Sequence, residues 1–177
     1  ELLTGILFGV VAWQYGWTMA AFGGLILTAL LIALTFIDAD TQYLPDSLTL
    51  PLIWLGLLFN LNGTFVPLKS AVLGAVFGYM SLWLLCFIYK LLTGKIGMGN
   101  GDFKLLAALG AWLGAGILPV LVFMAALIGL IGAIIGRVAK GQYFAFGPSL
   151  AIAGWIILVA NEPVHRAVTW WLTKSGF

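Results

Sequence analysis

The chain has 177 residues, 63% hydrophobic and 8% charged, with a formal net charge of +2 and a mean hydropathy of +1.13. Soluble domains carry roughly 25% charged residues, so this composition excludes a soluble fold, which would have no surface to put it on. Continuous apolar runs at 25–37 and 117–135 also argue against a transmembrane β-barrel, whose strands alternate apolar and polar.

A helix that crosses a bilayer needs about 20 mostly apolar residues. The first apolar run, Leu2 to Trp13, is short, and Gly16 ends it. The second runs from Thr18 to Ile37 and stops at Asp38. The third opens after Pro45, with Asp46 or Ser47 as its N-cap, and ends near Asn60, where Asn60-Leu-Asn-Gly-Thr reads as a turn. The fourth covers Leu68 to Leu92, and a Gly-rich loop from Thr93 to Gly101 follows it. A short fifth helix, Asp102 to Leu113, is counted as a span and stops at Gly114 and Gly116. The sixth runs from Ile117 to Gly136 and leads into a polar loop, Arg137 to Phe144. The seventh starts at Phe146-Gly-Pro148 and ends near Ala160, and Trp170 and Trp171 in the tail suit an interfacial anchor. The expected fold is all-α, a polytopic transmembrane helical bundle of about six or seven spans, forming one domain over residues 1–177. The opening at Glu1 has no methionine and no basic stretch, so it does not read as a signal peptide. The chain is expected to be an excerpt of a longer protein.

Counting spans fixes which loops share a side. The end of the second span, the Gly-rich loop and the loop after the sixth span all fall together. That side holds Lys90, Lys95, Lys104, Arg137 and Lys140, against Lys69, Arg166 and Lys174 on the other. The excess of cations predicts that the side bearing Asp38 is cytoplasmic.

The acids are the informative residues. Apart from Glu1 and Glu162, every carboxylate lies in one of two short clusters: Asp38, Asp40 and Asp46, or Asp102. An ionisable group at membrane depth is costly and usually serves function. Asp38 ends one span and Asp102 opens another, both within reach of water. Two aspartates brought together from different helices cannot both ionise easily, and they share a proton. One can then activate a water while its protonated partner polarises a carbonyl, as in soluble aspartic proteases. Such chemistry needs no metal, serine, cysteine or histidine. The single cysteine, Cys86, lies within an apolar span, and the single histidine, His165, sits beside Arg166. Gly97, Gly99 and Gly101 precede Asp102 at alternate positions. They permit unusual backbone angles and close approach of a substrate strand, or they simply make a flexible loop. Asp46 reads as a helix N-cap, Asp40 as a solvated acid or a contributor to the local field, and Lys104 as a partner for a carboxylate or a membrane-flanking cation.

Three motifs in order resemble one family. Gly99-Asn-Gly-Asp102 resembles the GxGD motif of intramembrane aspartyl proteases, and its continuation to Gly114 is similar to type IV prepilin peptidases. Asp38, six residues, then Pro45-Asp46 matches that family's pattern of an Asp followed by Pro-Asp or Pro-Asn. Phe144-Ala-Phe-Gly-Pro148 is similar to its Pro-Phe-Gly-Pro signature, with Ala145 where proline is usual. The resemblance implies that Asp38 and Asp102 are the catalytic pair, and that Gly97, Gly99, Gly101, Lys104, Asp40, Pro45 and Asp46 are supporting or substrate-binding residues. It implies a membrane endopeptidase of the bacterial inner membrane, with its site facing the cytoplasm. The implied substrates are type IV prepilins and type II secretion pseudopilins, cleaved after a glycine that ends a short basic leader, and their apolar helix stays in the bilayer against the bundle. No cofactor is expected for proteolysis and no nucleic acid as a partner. Full-length members also methylate the new N-terminus with S-adenosylmethionine and carry a zinc-binding insertion with two Cys-x-x-Cys pairs, which this sequence lacks. Two other readings are a proton-coupled transporter or channel and a non-catalytic secretion assembly subunit. The far ends of the spans carry no acid partner for a proton path.

Overall fold

The computed structural model describes residues 1–94, 98–135 and 146–160. Gly97, the loop expected at 137–144 and the tail with Trp170 and Trp171 lie outside them. The described residues form seven α-helices: α1 (Leu2–Tyr15), α2 (Met19–Thr41), α3 (Asp46–Phe59), α4 (Leu68–Thr93), α5 (Asn100–Leu113), α6 (Leu118–Ile135) and α7 (Gly147–Val159). Short 3-10 turns, Asn60–Asn62 and Ala115–Ile117, follow α3 and α5. The chain is an all-α membrane protein. Three segments, Met19–Thr41, Leu68–Thr93 and Ala115–Ile134, are long and apolar enough to cross a bilayer. α3 and α5 have 14 residues each, about 21 Å of helix.

Local signals explain the breaks. Gly16 ends α1, and Thr18 caps α2 by accepting a hydrogen bond from the Ala21 N–H at 3.2 Å. Pro45 and Pro67 stand just before α3 and α4, where a missing N–H costs nothing. Gly94 ends α4 with φ 70°, a left-handed cap that glycine adopts freely. The expectation that α2 stops at Asp38 is corrected: the helix continues to Thr41 and is closed by Gln42 in the left-handed region, φ 54°. Nothing in Ala39-Asp-Thr41 breaks a helix, so the propagating hydrogen bonds carry it one turn further.

α5 is the centre of the molecule. All of Leu105 to Leu113 is buried, against α3, α4 and α7. The crossing of α4 and α5 is very close: a Cβ on either Gly74 or Gly110 would overlap the other's carbonyl. Trp112, fully buried, donates from Nε1 to the Leu52 carbonyl at 2.9 Å and packs against the rings of Phe59 and Phe65. Asn60 ties the same end. Its Nδ2 donates to the carbonyls of Ala111 (2.9 Å) and Trp112 (3.2 Å). Its Oδ1 accepts from the N–H groups of Phe65 (2.9 Å) and Val66 (3.1 Å). The side chains that α4 turns outward, Leu73, Phe77, Leu84, Leu85 and Ile88 among them, are large, apolar and exposed, as a lipid-facing surface requires.

Candidate active site

The two acid clusters meet at one end of the helices. Asp38 comes from the last turns of α2, and Asp102 from the first turn of α5. They are the buried carboxylates among the described residues, 5% and 9% exposed. Both line one cleft of about 330 Å³, with Gln42, Tyr43, Leu44, Asp46, Gly99, Asn100, Gly101 and Lys104. The two carboxyls lie within electrostatic reach of each other.

Glycines bring the walls together. A Cβ on Gly101 would stand 2.6 Å from the Leu44 Cβ, so this glycine lets the start of α5 press against the loop that follows Asp38. Gly99 differs from expectation. Its backbone is ordinary extended chain, φ −72° and ψ 148°, and a Cβ there would make a normal 3.8 Å contact with Asp102 Oδ2. Gly147, which opens α7, lies against the Asp38 carboxyl, and any Cβ would overlap Oδ2. Asp38 Oδ2 is buried, and the polar group beside it is the backbone N–H of Gly147.

The supporting residues divide. Asp46 is not the N-cap of α3, a place taken by Pro45. It lies in the first turn and accepts an ion pair from Lys104 Nζ at 2.5 Å, across from α5. Asp40 is exposed and does not line the cleft, nor does Pro45, whose role is to start α3. Sequence reasoning missed Gln42, Tyr43, Leu44, Asn100 and Gly147 as parts of the site. The first three lie between the two acidic ends of one motif, and Gly147 lies in the Phe-Gly-Pro signature; each was within sight of a signal.

A cleft holding two close carboxylates of different helices can share one proton between them, present one as base and one as acid, and admit water from the end of the bundle. These features define the class: an α-helical membrane protein with a paired-aspartate cleft. The sequence profile of the type IV leader peptidase family matches residues 25–134, and the chain belongs to that family. It is 75% identical over 173 residues to the prepilin leader peptidase/N-methyltransferase of Neisseria gonorrhoeae, covering 98% of this chain and 60% of that protein. Proteins of the same name match from Pseudomonas aeruginosa, 50% identical over 100% of this chain and 61% of the relative, and from Aeromonas salmonicida, 54% identical over 98% and 60%. The chain therefore spans about three-fifths of the length of these curated relatives. No solved structure matches it.

The described residues offer zinc no donor set. They hold no group of three or more His, Cys, Asp or Glu side chains placed for a metal. An aromatic pocket beside the cleft is lined by Trp83, Cys86, Phe87, Lys90, Met98, Asn100 and Phe103.

Proposed function

We propose that this chain is the membrane-embedded core of an aspartic endopeptidase that removes the leader of prepilins or type II secretion pseudopilins. One observation carries the reading: the two buried carboxylates, Asp38 and Asp102, enter a single cleft from separate helices. Family membership and the names of the curated relatives support it.

In this mechanism one ionised carboxylate takes a proton from a water as its oxygen attacks the scissile carbonyl carbon. The protonated partner donates a hydrogen bond to the carbonyl oxygen and stabilises the charge that develops there. The tetrahedral intermediate then collapses, the C–N bond breaks, and a proton passes to the leaving amine. Gly99 and Asn100, exposed on the rim, leave room for an extended substrate. The acidic cleft draws the basic leader, with Asp40 on the exposed approach and Asp46 already held by Lys104. Lys90 and Lys104 lie at the same end, which favours a cytoplasmic site in the inner membrane. Cleavage follows the glycine that ends the leader. Methylation of the new N-terminus is a task of the whole protein, to which we assign none of these residues.

The test is leader removal from a purified prepilin by the full-length protein, its Asp38→Asn and Asp102→Asn variants, and Asp40→Asn as the competing acid. Cleavage by the parent that both single variants lose, with substrate binding retained, supports the pair. Cleavage retained by Asp38→Asn and lost by Asp40→Asn moves the pair to Asp40. Function unaffected by either change at Asp38 or Asp102 overturns the enzymatic reading.

A further inference from the structure

On α4, Trp83, Cys86, Phe87 and Lys90 recur at helical spacing and share one face. With Asn100 and Phe103, one turn apart on α5, they line a pocket of about 280 Å³ between the two helices. The indole of Trp83 and the ring of Phe87 are stacked, 5.4 Å apart and 8° from parallel. Phe103 is buried and meets Tyr79 edge-on, with ring centroids 6.0 Å apart. Cys86 and Met98 bring sulfur atoms to the lining, and sulfur makes favourable contacts with aromatic rings. Lys90 enters from the last turn of α4, where its ammonium can lie over a ring bound in the pocket.

Three observations join this pocket to the paired aspartates. Phe103 directly follows Asp102 in the chain, so a wall of the pocket stands one residue from that carboxylate. Cys86 lies within electrostatic reach of the same carboxyl. Asn100 lines both the pocket and the cleft. Its side-chain amide has two donors and an acceptor, which suit a peptide backbone passing from one space to the other. An acyl chain has no use for them. The grooves lined by Leu3 and Trp155, and by Phe77 and Leu118, share no residue with the cleft.

Of the two residues joined by the scissile bond, the first is a glycine in the peptidase reading and has no side chain to seat. The second has one, and it belongs to the segment that continues into the bilayer. We propose that the α4/α5 pocket receives the side chain of the residue that follows the scissile glycine, and that it selects for an aromatic ring there. Asn100 holds the peptide where it turns from the cleft into the pocket. This rests on the peptidase reading, since it names a subsite of that enzyme.

The test uses the full-length protein and two intact prepilins, with Phe or Ala after the glycine. The parent should favour the Phe substrate by at least about tenfold in kcat/KM. Cys86→Phe fills the pocket, and Trp83→Ala removes a wall that is already 40% exposed. Each should bring the Phe-to-Ala ratio below about threefold, with the loss falling on the Phe substrate. Leu85→Trp, on the outer face of α4, should keep the parent ratio. A parent ratio near one, or variants that slow both substrates equally, overturns the subsite and leaves the peptidase reading standing. A second measurement needs neither pocket variant. A photoreactive phenylalanine analogue is placed after the glycine and bound to the Asp102→Asn protein, which holds substrate uncut. Adducts at Trp83, Cys86, Phe87 or Met98 support the proposal, and adducts confined to α2, α7 or lipid overturn it. If the parent cuts neither prepilin, the peptidase reading fails and this inference goes with it.

Discussion

The backbone of Gly147 lies so close to Asp38 that a side chain there would overlap Oδ2 and stand 3.0 Å from Cγ. α7 is thereby part of the candidate site without contributing a titratable group among its described residues. The first prediction concerns this contact. Gly147→Ala must displace the carboxyl or the start of α7, and a misplacement of about 1 Å can cost on the order of 100-fold in rate. We expect a loss of that order in kcat for leader cleavage, with the helical signal and elution profile of the folded protein retained. Activity within twofold of the parent would mean that Asp38 works from another rotamer.

The pair Lys104–Asp46 is half-exposed, with side chains 24% and 52% accessible. Such a pair contributes roughly 0–1 kcal/mol to stability, so its purpose is sought in the field at the cleft. Lys104→Met frees a carboxylate and should lower KM for a basic leader a few-fold at low salt, whereas Asp46→Asn frees a cation and should raise it. Both effects should fade as salt rises. KM measured for the two variants at low and high ionic strength checks the signs; shifts in the same direction would contradict the assignment.

Asn60 satisfies four backbone groups from one buried amide. Each buried group left unpaired costs roughly 1–3 kcal/mol. Asn60→Ala should therefore destabilise the protein by at least about 3 kcal/mol, read as a lowered midpoint of unfolding in detergent. The change lies at the end of α5 remote from Asp102, so activity at low temperature should survive better than stability does.

Gly74 and Gly110 each fill the space that the other's side chain would need. Either alanine substitution must push α4 and α5 apart, at a cost of about 1–3 kcal/mol or more. The separation that admits one methyl group partly admits the second. The double variant should thus be less destabilised than the sum of the singles, a coupling measurable by a double-mutant cycle. Full additivity would show that the crossing relaxes in separate places.

Helix ends were legible in the sequence because Gly16, Pro45, Pro67, Gly94, Gly114 and Pro148 punctuate an otherwise apolar chain. Asp38 and Asp102 stood out for the same reason, as acids at the margins of apolar runs. The role of Asp46 was not legible: a carboxylate one residue after proline reads as a cap, and its true partner, Lys104, lies 58 residues away in sequence. The end of α2 is not legible from its first charge, because Asp38 is sheltered by α7 and the helix runs on to Thr41. Gly99 has ordinary extended backbone while the nearby Gly101 is needed for close packing, a difference that spacing alone cannot distinguish. Gly147 could be seen in a motif but its contact with Asp38 is tertiary.

α5 has no outer face along Leu105 to Leu113, and its 14 residues make about 21 Å of helix against a hydrocarbon core of about 30 Å. It is therefore poorly suited to stand alone in a membrane during synthesis, and it finds its place only once α3, α4 and α7 are there to enclose it. Since α7 follows α5 in the chain, Asp102 reaches its final setting after nearly all of these residues have been made. The cleft that joins Asp38 and Asp102 is thus completed only when α7 is in place.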